Sequence, residues 1–150
     1  MAARLLITDD EPLVLLSLAD LLEGEAFDVT LASDGLDALA AARRLGDTLD
    51  VLVTDLDMPR MAGGDLIWAL RLDRPSLPVV VVSGSAPSGG AAALRRTCGG
   101  YGPLLLVHKP FTSGEVTAAV RRAIAGRAGR EAATSQGPLA FEVAAGCPSR

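Results

Sequence analysis

At 150 residues and 49% apolar, the chain is long enough for one domain and too oily to be intrinsically disordered. Its formal charge of −4 argues against the basic face that direct nucleic-acid binding needs. The two cysteines, Cys98 and Cys147, are too few and too far apart for a disulfide framework or a thiolate metal site, and no segment has the length of a secretory leader or a membrane span. The expectation is a soluble cytoplasmic protein that does not use a membrane.

Taken in chain order, short apolar runs alternate with helical patterns. Residues 5–7 (Leu-Leu-Ile) read as a first strand, and Pro12 opens a helix over 12–22, since proline suits a first turn. A weaker strand over 27–31 is followed by Ser33 and Asp34, which cap a helix over 36–45 that stops at Gly46. Residues 51–53 form the next strand, and 64–72 the next helix, ended before Pro75. The strand over 79–82 (Val-Val-Val-Val) precedes a helix over 88–97 weakened by Gly89 and Gly90. The last pair is a strand over 104–107 and a helix over 113–125, opened by Thr112-x-x-Glu115, a capping box. Continuous apolar runs of this length suit strands buried on both faces of a parallel sheet. Five such alternations predict a doubly wound α/β domain with helices on both faces, spanning 1–126. Residues 127–150, small and polar, read as a flexible tail, with an apolar stretch over 139–143.

In an open parallel sheet, function gathers beyond the carboxyl ends of the strands. The first strand leads through Thr8 to Asp9 and Asp10, the third through Thr54 to Asp55, the fourth to Ser83, and the fifth to His108 and Lys109. Three clustered carboxylates repel, and a hard divalent cation such as Mg²⁺ relieves that repulsion through oxygen ligands. A carboxylate can also attack phosphorus to form an aspartyl phosphate, whose oxygens an ammonium and a hydroxyl would stabilise. Each part alone has a plainer account. Asp9-Asp10-Glu11 before Pro12 could simply cap a helix, Asp55 could be a turn residue, and Ser83 before Gly84 an ordinary loop start. Of fourteen basic residues thirteen are arginine, and Lys109 is the only lysine; composition alone fits chance as well as a site that needs a compact ammonium.

The segments RLLITDDEPLV, DVLVTDLDMPRMAGGDL, LPVVVVSGSA and HKPF, in this order and spacing, resemble a response-regulator receiver domain of the chemotaxis-regulator-like kind over residues 4–125. The resemblance implies a flavodoxin-like sheet in the order 2-1-3-4-5. It implies that Asp55 is the phosphoacceptor, that Asp9 and Asp10 organise Mg²⁺ with Asp10 the direct ligand, and that the Asp57 backbone carbonyl also faces the metal. By the same resemblance Ser83 supplies the hydroxyl that moves towards the phosphoryl group, Lys109 pairs with it, and the bond to Pro110 is cis. A histidine kinase or phosphotransfer protein is the implied donor. The chain would then be a stand-alone switch or relay for a protein partner of unknown identity, not a turnover enzyme beyond slow autophosphatase activity. Two departures stand out. Leu106 occupies the place of the family's aromatic residue, and Gly-rich segments flank the fourth helix. Two other readings are weighed against this one. Asp55-Leu56-Asp57 fits the D-x-D of haloacid-dehalogenase-like phosphatases, although there the metal acids come later in the chain. A pseudo-receiver that only binds is opposed by the intact acid, hydroxyl and lysine set. A P-loop enzyme has no Gly-Lys-Ser/Thr segment to stand on.

Overall fold

Valine, leucine and isoleucine in unbroken runs can be buried on both faces of a strand, and in the computed structural model, described over residues 2–85 and 88–135, they are. The strands are β1 (Arg4–Thr8), β2 (Asp28–Ala32), β3 (Val51–Thr54), β4 (Val79–Ser83) and β5 (Leu104–His108). They form one parallel sheet in the order β2-β1-β3-β4-β5, as expected. The central strands β3 and β4 are buried throughout, whereas β2, the weaker run, is a half-exposed edge.

The helices are α1 (Pro12–Gly24), α2 (Gly35–Leu45), α3 (Gly63–Asp73), α4 (Gly90–Cys98) and α5 (Ser113–Ser135). Strand side chains alternate between faces, which divides the core in two. Leu6, Leu52, Val79 and Val81 pack against α2, α3 and α4; Leu5, Ile7, Val51, Val53, Val80 and Val82 pack against α1 and α5. Full burial of one such side chain is worth about 1.5–3 kcal/mol.

The helix ends follow local chemistry. The Asp34 carboxylate accepts from the Asp37 amide at 2.9 Å and caps α2, and Gly46 closes it with φ of 55°. Thr112 and Glu115 make the reciprocal bonds of a capping box at 2.8 and 3.2 Å. Several boundaries differ from the sequence expectation, among them those of the last two helices. The fourth helix begins at Gly90 because Gly89 and Gly90 both have positive φ. The fifth continues past residue 125 to Ser135, since Ala, Arg and Glu among residues 127–133 favour a helix despite Gly126 and Gly129. The rest of the expected tail, 136–150, lies outside the described residues.

One close approach sets the site. A Cβ on Gly63 would lie 1.9 Å from the Asp55 carbonyl oxygen, so only glycine lets α3 start directly against the end of β3.

Candidate functional site

Thr8 pairs with Thr54 across β1 and β3, so the residues that follow, Asp9 and Asp55, leave the sheet side by side. Ser83 pairs with His108 across β4 and β5, and the Lys109 amide donates to the Ser83 carbonyl at 3.0 Å, which sets Lys109 at the same rim. From there its side chain reaches back over the sheet end. Nζ donates to Asp9 Oδ2 at 2.8 Å, Asp55 Oδ2 at 3.1 Å and Glu11 Oε1 at 3.2 Å. Asp9 and Asp55 are buried, at 1% and 6% exposure. Their other oxygens are also held: Asp9 Oδ1 accepts from the Glu11 amide at 2.9 Å and Asp55 Oδ1 from the Leu56 amide at 2.6 Å.

Burial pushes the Asp9 carboxyl above the ordinary aspartate range, and the Lys109 hydrogen bond offsets this only in part. Burial acts against the Lys109 ammonium too, but hydrogen bonds to Asp9 and Asp55, together with their charge, outweigh it and raise its pKa above the usual lysine value. The directions agree physically: Lys109 meets three carboxylates, whereas Asp9 meets one cation and has Asp55 beside it.

Carboxylate oxygens of Asp9, Glu11 and Asp55 lie within 4.8 Å of one another. Three carboxylates against one ammonium leave two negative charges. Hard oxygen donors with that deficit suit a divalent ion such as Mg²⁺. Glu11 was legible in sequence only as the third acid of a run. Its place here depends on the turn after β1, in which the Glu11 amide folds back onto Asp9.

The other expected residues lie around this group. Asp10 is exposed and stands outside the carboxylate cluster. The Asp57 carboxylate accepts from the Ser85 hydroxyl. Ser83 is fully buried; its Oγ donates to the Ser85 carbonyl and accepts from the Ser85 amide, both at 3.2 Å. His108 is exposed, the Lys109–Pro110 bond is cis, and Leu106 is half-buried against the α2–α3–α4 side of the core.

The family described as response regulator receiver domain matches residues 5–121. The chain belongs to the response regulator receiver family. Among related proteins, the probable transcriptional regulatory protein TcrX of Mycobacterium tuberculosis is 38% identical over 117 residues, covering 77% of this chain and 47% of that protein. The DNA-binding response regulator MtrA of Mycolicibacterium smegmatis is 34% identical over 122 residues, covering 81% and 50%. This receiver thus spans about half the length of the curated relatives it matches. A receiver domain protein from Clostridium thermocellum superposes with a TM-score of 0.72 at 27% identity, covering 81% of this chain and 94% of that one. NtrX from Brucella abortus gives 0.77 at 26% identity, covering 91% and 30%. Among the described residues, no helix is long and apolar enough to cross a membrane.

Proposed function

We propose that this receiver accepts a phosphoryl group on Asp55 and uses it to switch the binding of a partner protein or to pass the group on. The observation that carries the reading is the Asp55 carboxylate, buried at the strand rim, with Oδ2 held by Lys109 and two further carboxylates within reach. A histidine kinase or phosphotransfer protein is the donor that suits it. An Asp55 oxygen attacks phosphorus, the P–O bond forms as the P–N bond to the donor imidazole breaks, and the imidazole departs with that electron pair.

The residues around Asp55 divide the work. The Leu56 amide on Oδ1 fixes the carboxylate plane. Lys109, kept charged by its neighbours, answers the negative charge of the incoming oxygens. Ser83 offers its hydroxyl once it leaves the Ser85 turn. Mg²⁺, held by Asp9, Asp10, Asp55 and the Asp57 carbonyl with the Glu11 carboxylate in reach, would supply further positive charge for the phosphoryl oxygens. Hydrolysis of the acyl phosphate is a slow reset in this reading, and the site acts in the cytoplasm without direct nucleic-acid contact. A D-x-D phosphatase would need the Asp57 carboxylate beside Asp55, and its bond to Ser85 does not favour that alternative.

The test is incubation with acetyl phosphate and Mg²⁺, read by intact mass. Wild type should gain one phosphoryl mass and Asp55→Asn none. Equal labelling of the variant would reject Asp55 as the acceptor.

A further inference from the structure

Arg60 stands in the segment that leads from Asp55 to α3, and its backbone has a φ of 69°. Residues other than glycine rarely take that left-handed conformation, so the surroundings must hold it there. The Met61 amide donates to the Pro59 carbonyl at 2.7 Å across Arg60, which closes a tight γ-turn. The side chain supplies a second hold. Its Nη1 donates to Asp34 Oδ2 at 2.9 Å, and the Asp37 carboxylate lies 3.9 Å away.

Asp34 is divided between two tasks. Oδ1 caps α2 through the Asp37 amide, and Oδ2 takes Arg60. The Asp34 side chain is 12% exposed against 54% for Arg60. An exposed arginine is thus fastened to a nearly buried acid that α2 itself holds in place. The two segments also meet through backbone: a Cβ on Gly35, the first residue of α2, would lie 2.0 Å from the Met61 carbonyl oxygen. Beneath them, the Thr8 hydroxyl lies 3.4 Å from both the Asp34 carbonyl oxygen and the Met58 sulfur. The Gly63 amide donates to the Leu56 carbonyl at 2.8 Å, so residues 56–63 form one closed loop that carries both Asp57 and Arg60.

We infer that Arg60 is a positioning residue: its grip on Asp34 fixes the 56–63 loop against α2 and thereby raises the affinity of the rim for a divalent cation. The latch itself is a property of the metal-free protein. Only its effect on the cation rests on the function proposed above, in which the Asp57 carbonyl of this loop faces Mg²⁺. Charge alone acts the other way. A guanidinium repels a cation, so an Arg60 that did nothing but carry charge would weaken Mg²⁺ binding, and its removal would tighten it. The latch predicts that removal loosens binding.

Two measurements on the full chain test this. The first is hydrogen exchange of the metal-free protein, read by mass spectrometry. Asp34→Asn leaves the loop sequence untouched and keeps an acceptor for the Asp37 amide, since asparagine caps a helix as well as aspartate does. Exchange over 56–63 should rise about two- to fivefold, the range of a partly exposed ion pair, while α2 stays protected. Unchanged exchange over 56–63 overturns the latch; an equal loss of protection in α2 assigns the effect to the cap and overturns it too. The second is calorimetric titration with Mg²⁺ alone. Arg60→Gly, which accepts the left-handed backbone, should weaken binding about two- to fivefold, and Arg60→Lys less. Arg60→Gly combined with Asp34→Asn should fall short of the product of the two single effects, because both break one contact. Unchanged or tighter binding by Arg60→Gly overturns the positioning role, and fully multiplied effects overturn its route through Asp34. A wild type that binds no Mg²⁺ instead refutes the metal reading of the rim, and the exchange measurement then judges the latch by itself.

Discussion

Lys109 Nζ lies 2.8 Å from Asp9 Oδ2 and, from that position, also touches the carboxylates of Asp55 and Glu11. One ammonium thus holds together acids that leave two different strands. Removing it should expose their mutual repulsion. Lys109→Ala is expected to lose on the order of 3 kcal/mol of stability, the usual effect of leaving buried charge uncompensated. Mg²⁺ should restore more stability to the variant than it adds to wild type, because it answers the same charge. Urea unfolding with and without Mg²⁺ measures both. A variant as stable as wild type in the absence of metal would show that the ammonium does not balance the site.

Asp10 offers the opposite case. It is exposed and makes none of the contacts that hold Asp9. Asp10→Asn should change stability by no more than about 0.5 kcal/mol, as at most surface positions. Mg²⁺-dependent labelling by acetyl phosphate should nevertheless disappear. Thermal unfolding and intact mass on one preparation separate the two effects, and undiminished labelling would remove Asp10 from the proposed metal site.

Gly63→Ala should disturb the site without touching a charged group. The new methyl would sit 1.9 Å from the Asp55 carbonyl oxygen, so α3 or the end of β3 must shift. Overpacking of this kind costs about 1–3 kcal/mol. Phosphoryl acceptance should fall as well, since the displaced backbone carries Asp55, the proposed acceptor. Normal labelling with normal stability would mean that the contact relaxes freely. Gly64→Ala, where the methyl meets nothing within 4 Å, is the matched control.

The capping box of α5 predicts a pH dependence. The Thr112 amide on the Glu115 carboxylate lowers the Glu115 pKa below its ordinary 4.5. A carboxyl with a depressed folded pKa adds stability that is complete above the unfolded value and lost as pH falls through the folded one. Wild type should therefore exceed Glu115→Gln in melting temperature at neutral pH, with the gap closing below pH 4.5. Thr112→Ala should cost about 1 kcal/mol at any pH where the helix forms. A pH-independent gap would assign the effect to packing.

Much of this receiver was legible in the sequence because it rests on local chemistry. The run over 79–82 is apolar at every position, so it had to be a strand covered on both faces, and β4 is buried throughout. Asp34, Gly46 and Thr112 end or start helices through partners within a few residues, which any reader of the chain can find. Asp9, Asp55 and Lys109 could be picked out because each follows directly on a buried run, and the single lysine stood out among arginines.

What only the tertiary structure decided are the contacts between residues far apart in the chain. Lys109 meets Asp9 across a separation of 100 residues, a pairing that exists because β5 and β1 end at the same rim of one sheet. The family resemblance put Asp10 with Asp9 on the metal; the turn after β1 instead brings Glu11, itself exposed, within reach of Asp9 and Asp55 and leaves Asp10 outside that cluster. Nothing local in the sequence marks Arg71 for burial, and Gly99, Gly100 and Gly102 read there only as part of a Gly-rich segment. Only the packing of α3 beneath the α4–β5 connection shows that the carbonyls of one are the ligands of the other. A charge pattern records which groups a chain carries; sheet register and helix packing determine which of them lose water together, and so which ones interact strongly.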